Sequence, residues 1–190
     1  MKNDARFVKN EEKIIETFKQ MVIEMNFEDI TIKELTERAK INRKTFYLHY
    51  ATIEDLVKSI EKMYAEEYVK FIDGLDIFHN YYEITKRFYI FHVQKGAFIE
   101  KLTCDPNYEY IRNQMINKVK SSYIDTSIFK DLDKHILNIA IEYMHNTTLS
   151  IYKAWVKDNK VIPFDDIIEL NYNLVINGLN TIKKNTGKIS

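Results

Sequence analysis

The residues best suited to chemistry lie in one short segment, 38–50, which is rich in cationic, hydroxyl-bearing and aromatic side chains. Between Glu37 and Glu54 the sequence has four basic residues and no acidic residue. Arginine and lysine donate hydrogen bonds to phosphate groups and to the O6 and N7 atoms of guanine in the major groove of DNA. The segment therefore has the side chains for nucleic-acid recognition. A solvated, charged helix face is the alternative interpretation of the same pattern.

The charge of the whole chain hides this local excess. There are 28 Lys and Arg against 28 Asp and Glu, so the formal net charge is zero. Four of the basic residues fall in the acid-free segment, which leaves 24 basic against 28 acidic residues elsewhere. A neutral total argues against a generally basic nucleic-acid binder. It is compatible with a +4 segment that contacts DNA while the acidic remainder does not.

The sequence predicts three helices that contain this segment or precede it. Apolar residues at helical spacing predict a first helix from Asn10 to Met25. Thr31 and Glu34 form a capping box, which predicts that a second helix starts at Thr31. Asn42 is a favoured N-cap for a third helix, Arg43–Tyr50. The three-residue gap between the second and third helices has the length of a helix-turn-helix connection.

The third helix divides its side chains between two faces. Phe46 and Tyr50 are four residues apart and can share the buried face. Arg43, Lys44 and Tyr47 are then left on the outer sides, as a major-groove reader requires.

The sequence from Thr31 to Leu56 resembles the DNA-binding signature of the TetR/AcrR family of bacterial transcriptional regulators. The most specific match is Thr45-Phe-Tyr-Leu-His-Tyr50 followed by Leu56, which corresponds to the family pattern T-F-Y-x-[YH]-F…L. The resemblance covers roughly residues 10–60, and beyond them it is limited to chain length and helical layout.

The resemblance implies an all-α protein with two parts. Residues 1–52 would form a three-helix, helix-turn-helix DNA-binding domain, and residues 53–190 a larger helical domain for effector binding and dimerisation. The implied function is a homodimeric regulator, most simply a repressor that a small-molecule effector releases from a palindromic DNA operator. The residues expected to contact DNA are Thr31, Lys33, Lys40, Arg43, Lys44, Thr45, Tyr47 and His49.

The chain departs from the family pattern at two places. Lys40 stands where the family usually has Gly in the turn, so a positive φ there would carry a cost. The family also often has two lysines in the loop before the fourth helix, where this chain has Ala51 and Ile53. Phosphate binding is therefore expected to be weaker or to rest on Lys40 and Lys44.

The rest of the chain is predicted to be helical. Thr52 and Asp55 give a capping signal for a long helix that runs toward Gly74 and would link the two domains. Prolines 106 and 163 occupy positions where proline initiates helices. The further predicted helices are Tyr81–Gln94, Ala97–Cys104, Pro106–Tyr123, Phe129–Asp158 and Phe164–Lys184.

A surface helix needs one apolar stripe to pack on its own core, and each of the last two predicted helices has apolar residues beyond such a stripe. Two such helices predict a four-helix interface across a two-fold dimer, with burial inside the monomer as the alternative. The residues expected at this interface are Tyr152, Trp155, Leu174, Gly178 and Ile182.

The middle helices are rich in aromatic and histidine side chains. A mostly apolar cavity with a few polar groups suits a small-molecule effector, although aromatics at helical spacing also form ordinary core. The residues expected to line an effector pocket are Phe88, Phe91, His92, Phe98, Tyr108 and Tyr143.

Several classes of function are excluded or disfavoured. Glycines occur at 74, 96, 178 and 187 alone, so neither a dinucleotide-binding G-x-G-x-x-G nor a Walker phosphate loop can be formed. H-E-x-x-H and G-x-S-x-G are absent as well. We expect no catalysis, no cofactor and no metal site. Two alternatives stay open: a coactivator or adaptor that acts through protein contacts without a small effector, and an enzyme on a helical scaffold.

The location of the protein follows from its N-terminus and its cysteine. The first residues are charged and lack the apolar run of a signal peptide, and no 18-residue apolar window exists. Cys104 is the single cysteine and cannot form an internal disulfide. We expect a soluble, cytoplasmic protein that does not bind membranes.

Overall fold

The fold is all-α, as predicted. A computed structural model describes residues 5–75, 79–123 and 133–185, and the side chains of 121–123 and 179–185 are not described. Within these ranges there are eight α-helices and two short 3₁₀ turns, Phe27–Asp29 and Pro106–Tyr108. The helices are α1 Ala5–Glu24, α2 Ile32–Arg38, α3 Arg43–His49, α4 Ile53–Phe71, α5 Tyr81–Cys104, α6 Glu109–Tyr123, α7 Lys134–Lys157 and α8 Phe164–Asn185.

Helices α1, α2 and α3 pack against one another in the predicted three-helix arrangement. The core between them contains fully buried Phe18 from α1, Leu35 from α2 and Phe46 from α3. Burying a side chain of this size stabilises the fold by about 1.5–3 kcal/mol. Helix α1 begins at Ala5, earlier than predicted, because Phe7 packs on the His49 ring and so anchors the first turns.

The N-caps predicted for α2 and α3 are confirmed. Thr31 Oγ1 accepts a hydrogen bond from the Glu34 backbone N–H at 3.2 Å, and Asn42 Oδ1 accepts one from the Lys44 N–H at 2.8 Å. Each cap satisfies a backbone donor that a helix start leaves unpaired. The Glu34 carboxylate accepts hydrogen bonds from Arg38, at 2.8 and 3.1 Å. Two short helices are thereby fixed at their starting residues.

Lys40 occupies the left-handed region at the end of α2, with φ 54°. The Ile41 N–H donates to the Thr36 carbonyl at 3.0 Å and the Lys40 N–H to the Glu37 carbonyl at 3.2 Å. These two hydrogen bonds form a Schellman motif, whose left-handed residue is usually Gly. The positive φ anticipated at this non-glycine residue is therefore present. Asn159 has the corresponding position after α7, with φ 53°.

The later helices begin and end close to the predicted residues. The predicted break between two helices near residue 95 is confirmed as a kink inside α5 at Gly96, where φ is 67° and ψ is −153°. Pro106 starts a 3₁₀ turn before α6. Helix α7 begins at Lys134, with Asp133 as its N-cap, whereas the predicted start at Phe129 lies outside the described residues. None of the helices among the described residues is long and apolar enough to cross a membrane.

The chain forms two compact units. Unit 1 comprises residues 1–70 and 95–122, and unit 2 comprises residues 71–94 and 123–190. Each unit therefore contains two separate stretches of the sequence. The predicted boundary between residues 52 and 53 falls inside unit 1. That boundary separates a DNA-binding domain from an effector-binding domain, and this functional assignment stays a prediction.

In unit 1 the start of α6 is tied to the ends of α5 and α1. The buried Arg112 donates from Nη1 to the carbonyl oxygens of Leu102 and Thr103, at 3.2 and 3.1 Å. The buried Tyr108 hydroxyl donates to the carbonyl of Met25 at 3.3 Å. Both side chains satisfy carbonyl groups that helix ends leave without intrahelical donors.

The interior of unit 2 contains a hydrogen-bonded polar chain. The Tyr81 hydroxyl lies 2.5 Å from Thr148 Oγ1, which donates to Asn171 Oδ1 at 3.3 Å. Asn171 Nδ2 in turn donates to the Tyr89 hydroxyl at 3.0 Å. All four side chains are buried. A satisfied buried network of this kind favours one arrangement of α5, α7 and α8.

Candidate nucleic-acid interface

Helix α3 presents an exposed face that is basic, aromatic and apolar. Arg43, Lys44, Tyr47 and Leu48 are all exposed. Their spacing of one and four residues places them on adjacent strips of the helix surface. The exposed fraction is 56% for Tyr47 and 72% for Leu48. Leu48 is the member of this face that the sequence interpretation missed.

The opposite face of α3 is fixed in the core of unit 1. Phe46 is fully buried and Tyr50 is 6% exposed, with their ring centroids 5.9 Å apart. The Tyr50 hydroxyl donates to Glu11 Oε1 at 3.1 Å. Burial raises the pKa of Tyr50 to about 12, so this hydroxyl keeps its proton at neutral pH. The predicted division of α3 between core and surface is confirmed for these two residues.

The cations around α2 and α3 are not equivalent. Arg38 forms ion pairs with Glu24 and Glu34, and these hydrogen bonds raise its pKa. Lys33, Lys40, Arg43 and Lys44 are exposed and form no ion pair among the residues that the structure describes. These four cations are therefore available to a polyanion, whereas Arg38 is already neutralised.

The two candidate threonines differ in exposure. Thr31 is exposed, and its hydroxyl oxygen accepts the capping hydrogen bond from Glu34 while the hydroxyl proton can still be donated. Thr45 is half-buried in the first turn of α3. Thr31 thus combines a cap with a donor at the start of α2.

His49 packs into unit 1 and does not form part of the exposed face. Its ring lies 3.9 Å from the Phe7 ring, centroid to centroid. Both ring nitrogens are buried and have no hydrogen-bond partner among the described residues. Burial lowers the pKa of His49, so the ring is neutral in this site. The expectation that His49 contacts DNA is corrected to a packing role, because neither nitrogen reaches the surface.

The predicted effector residues belong to both units. Phe98 and Tyr108 lie in unit 1, and the other four lie in unit 2. Phe98 lines a small apolar cavity of about 10 Å³, room for one water molecule. Tyr108 instead supports the end of α1. The polar group in the cavity wall is Glu61, whose Oε2 accepts a hydrogen bond from Lys118 at 3.1 Å.

Of the four candidates in unit 2, Phe88, Phe91 and His92 pack together, whereas Tyr143 is 37% exposed. The His92 ring packs on Phe88 and Tyr152, with centroids 4.1 and 4.7 Å away, and its Nδ1 lies 2.8 Å from the Phe88 carbonyl oxygen. Burial lowers the pKa of His92 to about 4. Phe91 is buried as well. The alternative interpretation, ordinary core, therefore describes Phe88, Phe91 and His92, and an effector role for them stays a prediction.

The predicted interface residues of α7 and α8 separate into two groups. Tyr152 and Trp155 are buried within a single chain, at 0% and 6% exposure, so they cannot face a partner in this conformation. The expectation for these two residues is corrected, since they pack on Tyr89 in the interior of unit 2. Leu174 and Gly178 are exposed. The side chain of Ile182 lies outside the described residues.

Exposed residues of α7 lie beside the exposed residues of α8 and form one strip with them. Ile139 is 67% exposed, and Tyr143 is 37% exposed with its hydroxyl donating to the Leu174 carbonyl at 3.2 Å. Tyr143 therefore lies beside Leu174 and Gly178. The sequence interpretation missed Ile139, because periodicity does not reveal which of two apolar stripes faces outward. Tyr143 and Ile139 line an open surface groove, and the expected role of Tyr143 in effector binding stays a prediction.

Comparison with known proteins identifies the fold. The structure of the fatty acid degradation regulator FadR from Bacillus halodurans matches with a TM-score of 0.65 at 14% identity, over 90% of this chain and 96% of that chain. The dihydroxyacetone kinase operon activator DhaS matches with a TM-score of 0.55 at 15% identity, over 92% and 98%. No protein-family model and no curated protein sequence matches. The chain thus has the all-α fold of these two proteins along nearly its whole length.

Proposed function

We propose that the protein is a sequence-specific, DNA-binding transcriptional regulator of the TetR/AcrR type. Helix α3 enters the major groove, and its Arg43, Lys44 and Tyr47 side chains contact bases and phosphates. Thr31, Lys33 and Lys40 contact the backbone of the DNA from the start and the end of α2. The observation that carries the proposal is the exposed basic face of α3, with no acidic partner among the described residues.

The shared fold supports the same proposal. FadR is described as a regulator and DhaS as an operon activator, and both align over almost their whole length with this chain. The neutral total charge also fits, because exposed cations concentrate at α2 and α3 while acidic residues prevail elsewhere. An acidic remainder opposes indiscriminate binding to DNA.

We propose that two copies bind a palindromic operator in the cytoplasm. The exposed strip of Ile139, Tyr143, Leu174 and Gly178 on α7 and α8 forms the dimer contact. A two-fold dimer places two copies of α3 on half-sites about one helical turn apart, so the operator has matching symmetry. Without the second copy, one short helix provides too few contacts for strong discrimination.

The regulatory part of the proposal is a repressor that a small molecule releases from DNA. Such an effector acts by binding one conformation better than another, and it shifts the equilibrium only by that difference. The cavity beside Phe98 is bounded by α1 and α4 as well as α5 and α6. A ligand that enlarged it would act directly on helices of unit 1. At about 10 Å³ it must open to admit an effector.

The proposal is tested by selecting bound sequences from a library of random DNA duplexes with the purified full-length protein. We expect an enriched palindromic motif, and affinity for it that falls steeply as salt rises. The double variant Arg43→Ala/Lys44→Ala should lose the enrichment while keeping its helical circular dichroism. Enrichment of no motif by the wild-type protein contradicts the proposal.

A second candidate is an adaptor that works through protein contacts without a small effector. The absence of loop lysines at Ala51 and Ile53 favours it, because fewer phosphate contacts are then available. An adaptor should show no sequence preference among DNA duplexes at any salt concentration. The same selection experiment therefore separates the two candidates.

A further inference from the structure

Leu48 is an exposed apolar side chain in the last turn of α3, beside basic and aromatic side chains. Its exposed fraction of 72% exceeds that of Tyr47 on the same helix face. A single exposed leucine is common on protein surfaces and requires no explanation by itself. Leu48, however, lies one turn after Lys44 and next to Tyr47, so it belongs to the strip of side chains that faces outward from α3.

We propose that Leu48 reads the 5-methyl group of thymine in the operator. This inference rests on the proposed DNA-binding function and names one base feature that the site recognises. The thymine methyl is the apolar group that base edges present in the major groove, and apolar side chains contact it. An arginine or lysine selects guanine, whereas a leucine on the same face can distinguish thymine from cytosine.

The charges around Leu48 favour DNA as the occupant of this face. Lys33, Lys40, Arg43 and Lys44 are exposed, and no acidic residue occurs between Glu37 and Glu54. A polyanion complements such a surface and releases counterions on binding. A protein partner would have to be strongly acidic and also offer an apolar group at one point.

The backbone of α3 holds Leu48 in a defined position. Asn42 caps the start of the helix, and Phe46 is fully buried beneath it. The Tyr50 hydroxyl is hydrogen-bonded to Glu11 at 3.1 Å just after the last turn. Because both ends and the inner face are fixed, contact with a methyl group costs little further ordering of the protein.

The experiment deletes the methyl group from the DNA and the side chain from the protein. Each thymine of the selected operator is replaced in turn by deoxyuridine, and affinity is measured by fluorescence anisotropy. Burying one methyl group should change affinity about fourfold. We therefore expect about a fourfold loss at one or two positions in each half-site for the wild-type protein.

The variant Leu48→Ala should bind the thymine operator more weakly and should no longer distinguish it from the deoxyuridine operator at those positions. Val161→Ala is the matched control, since Val161 is also exposed, at 74%, and lies in the connection between α7 and α8. It should keep the wild-type sensitivity. Unchanged circular dichroism and melting temperature show that each variant is folded.

Several results would overturn the inference. If Leu48→Ala still binds the deoxyuridine operator more weakly than the thymine operator, another residue recognises the methyl group. If no deoxyuridine replacement weakens binding of the wild-type protein, the protein does not read a thymine methyl group. A change of oligomeric state in Leu48→Ala with unaltered DNA binding assigns the side chain to a protein contact. If the wild-type protein selects no DNA sequence, the proposed function fails together with the inference.

Discussion

The Tyr143 side chain in α7 lies against the backbone of Gly178 in α8. A Cβ atom at residue 178 would overlap the Tyr143 hydroxyl group and the ring carbon that bears it. That hydroxyl donates to the Leu174 carbonyl at 3.2 Å, one turn earlier in α8. Gly178 therefore gives Tyr143 the space to cross α8 on the exposed strip that we propose as the dimer contact.

The variant Gly178→Ala tests this packing. Alanine in a helix interior is favoured over glycine by about 1 kcal/mol, so without Tyr143 the substitution should stabilise the protein by that amount. In the wild-type background the overlap with Tyr143 should cancel or reverse this gain. Urea unfolding of both single variants and of Tyr143→Ala/Gly178→Ala measures the coupling, which we expect at about 1–2 kcal/mol. Additive effects would contradict the close contact.

The left-handed Lys40 provides a second prediction. A non-glycine residue in this region costs about 1–2 kcal/mol, of which the extra backbone entropy of glycine offsets a part. Lys40→Gly should therefore raise the free energy of unfolding by about 1 kcal/mol. Asn159→Gly is the matched control at the other Schellman motif and should gain less, because asparagine tolerates positive φ better.

The same Lys40→Gly variant should bind operator DNA less tightly, because one phosphate contact is lost. The slope of log affinity against log salt should become shallower by about one. If Lys40→Gly is more stable than the wild type but binds DNA more weakly, the Lys40 side chain contributes to DNA binding while its backbone conformation destabilises the fold. Unaltered DNA affinity would remove Lys40 from the interface.

Substitutions in α3 should separate recognition from stability. Arg43→Ala and Lys44→Ala should each weaken operator binding by about 1–3 kcal/mol, with a melting temperature close to that of the wild type. Phe46→Ala should instead cost about 3–5 kcal/mol of stability, since Phe46 is fully buried. Lys157→Ala, an exposed lysine at the end of α7, is the control for unspecific charge effects. Equal DNA affinity of Arg43→Ala and the wild type would refute the assigned role.

The exposed strip on α7 and α8 should determine the oligomeric state. Replacing both Ile139 and Leu174 by Asp exchanges two exposed apolar side chains for carboxylates, and burying these charges in an interface would be costly. We expect the double variant to sediment as a monomer at micromolar concentration, and the wild type as a dimer. Val161→Asp introduces a carboxylate at an exposed position outside the strip, and this variant should stay dimeric. A monomeric wild-type protein would exclude the proposed dimer.

Local sequence signals predicted the elements of unit 1 well. Thr31 and Asn42 are caps whose hydrogen bonds involve near neighbours, and Phe46 and Tyr50 lie on one helix face by spacing alone. Information of this kind is contained in a few consecutive residues. The positive φ at Lys40 was instead anticipated from the family resemblance, in which glycine usually occupies this turn.

Tertiary contacts decided the cases that the sequence could not. His49 matches the reading-helix pattern, but Phe7 covers it from a helix more than thirty residues away. Tyr152 and Tyr143 belong to neighbouring apolar stripes of α7, and periodicity treats both as equivalent. Whether a stripe packs inside its own chain depends on α5 and α8, which a single-helix pattern does not contain.

The last prediction concerns the buried His92, whose pKa is lowered to about 4 from an ordinary value of 6.5 by burial. Between these two values the unfolded chain binds a proton that the folded protein does not. The free energy of unfolding must therefore fall as the pH decreases through this window. From pH 7 to pH 5 the expected loss is about 2 kcal/mol, before most carboxylates titrate.

Urea unfolding of the wild type and of His92→Phe at both pH values measures this loss. Phenylalanine keeps the packing on Phe88 and Tyr152 but cannot bind a proton, so the variant should lose much less stability on acidification. The pKa of His49 is lowered by burial as well and acts in the same direction. His49→Phe/His92→Phe should therefore be the least sensitive to pH. An equal pH dependence in wild type and His92→Phe would show that another group carries the effect.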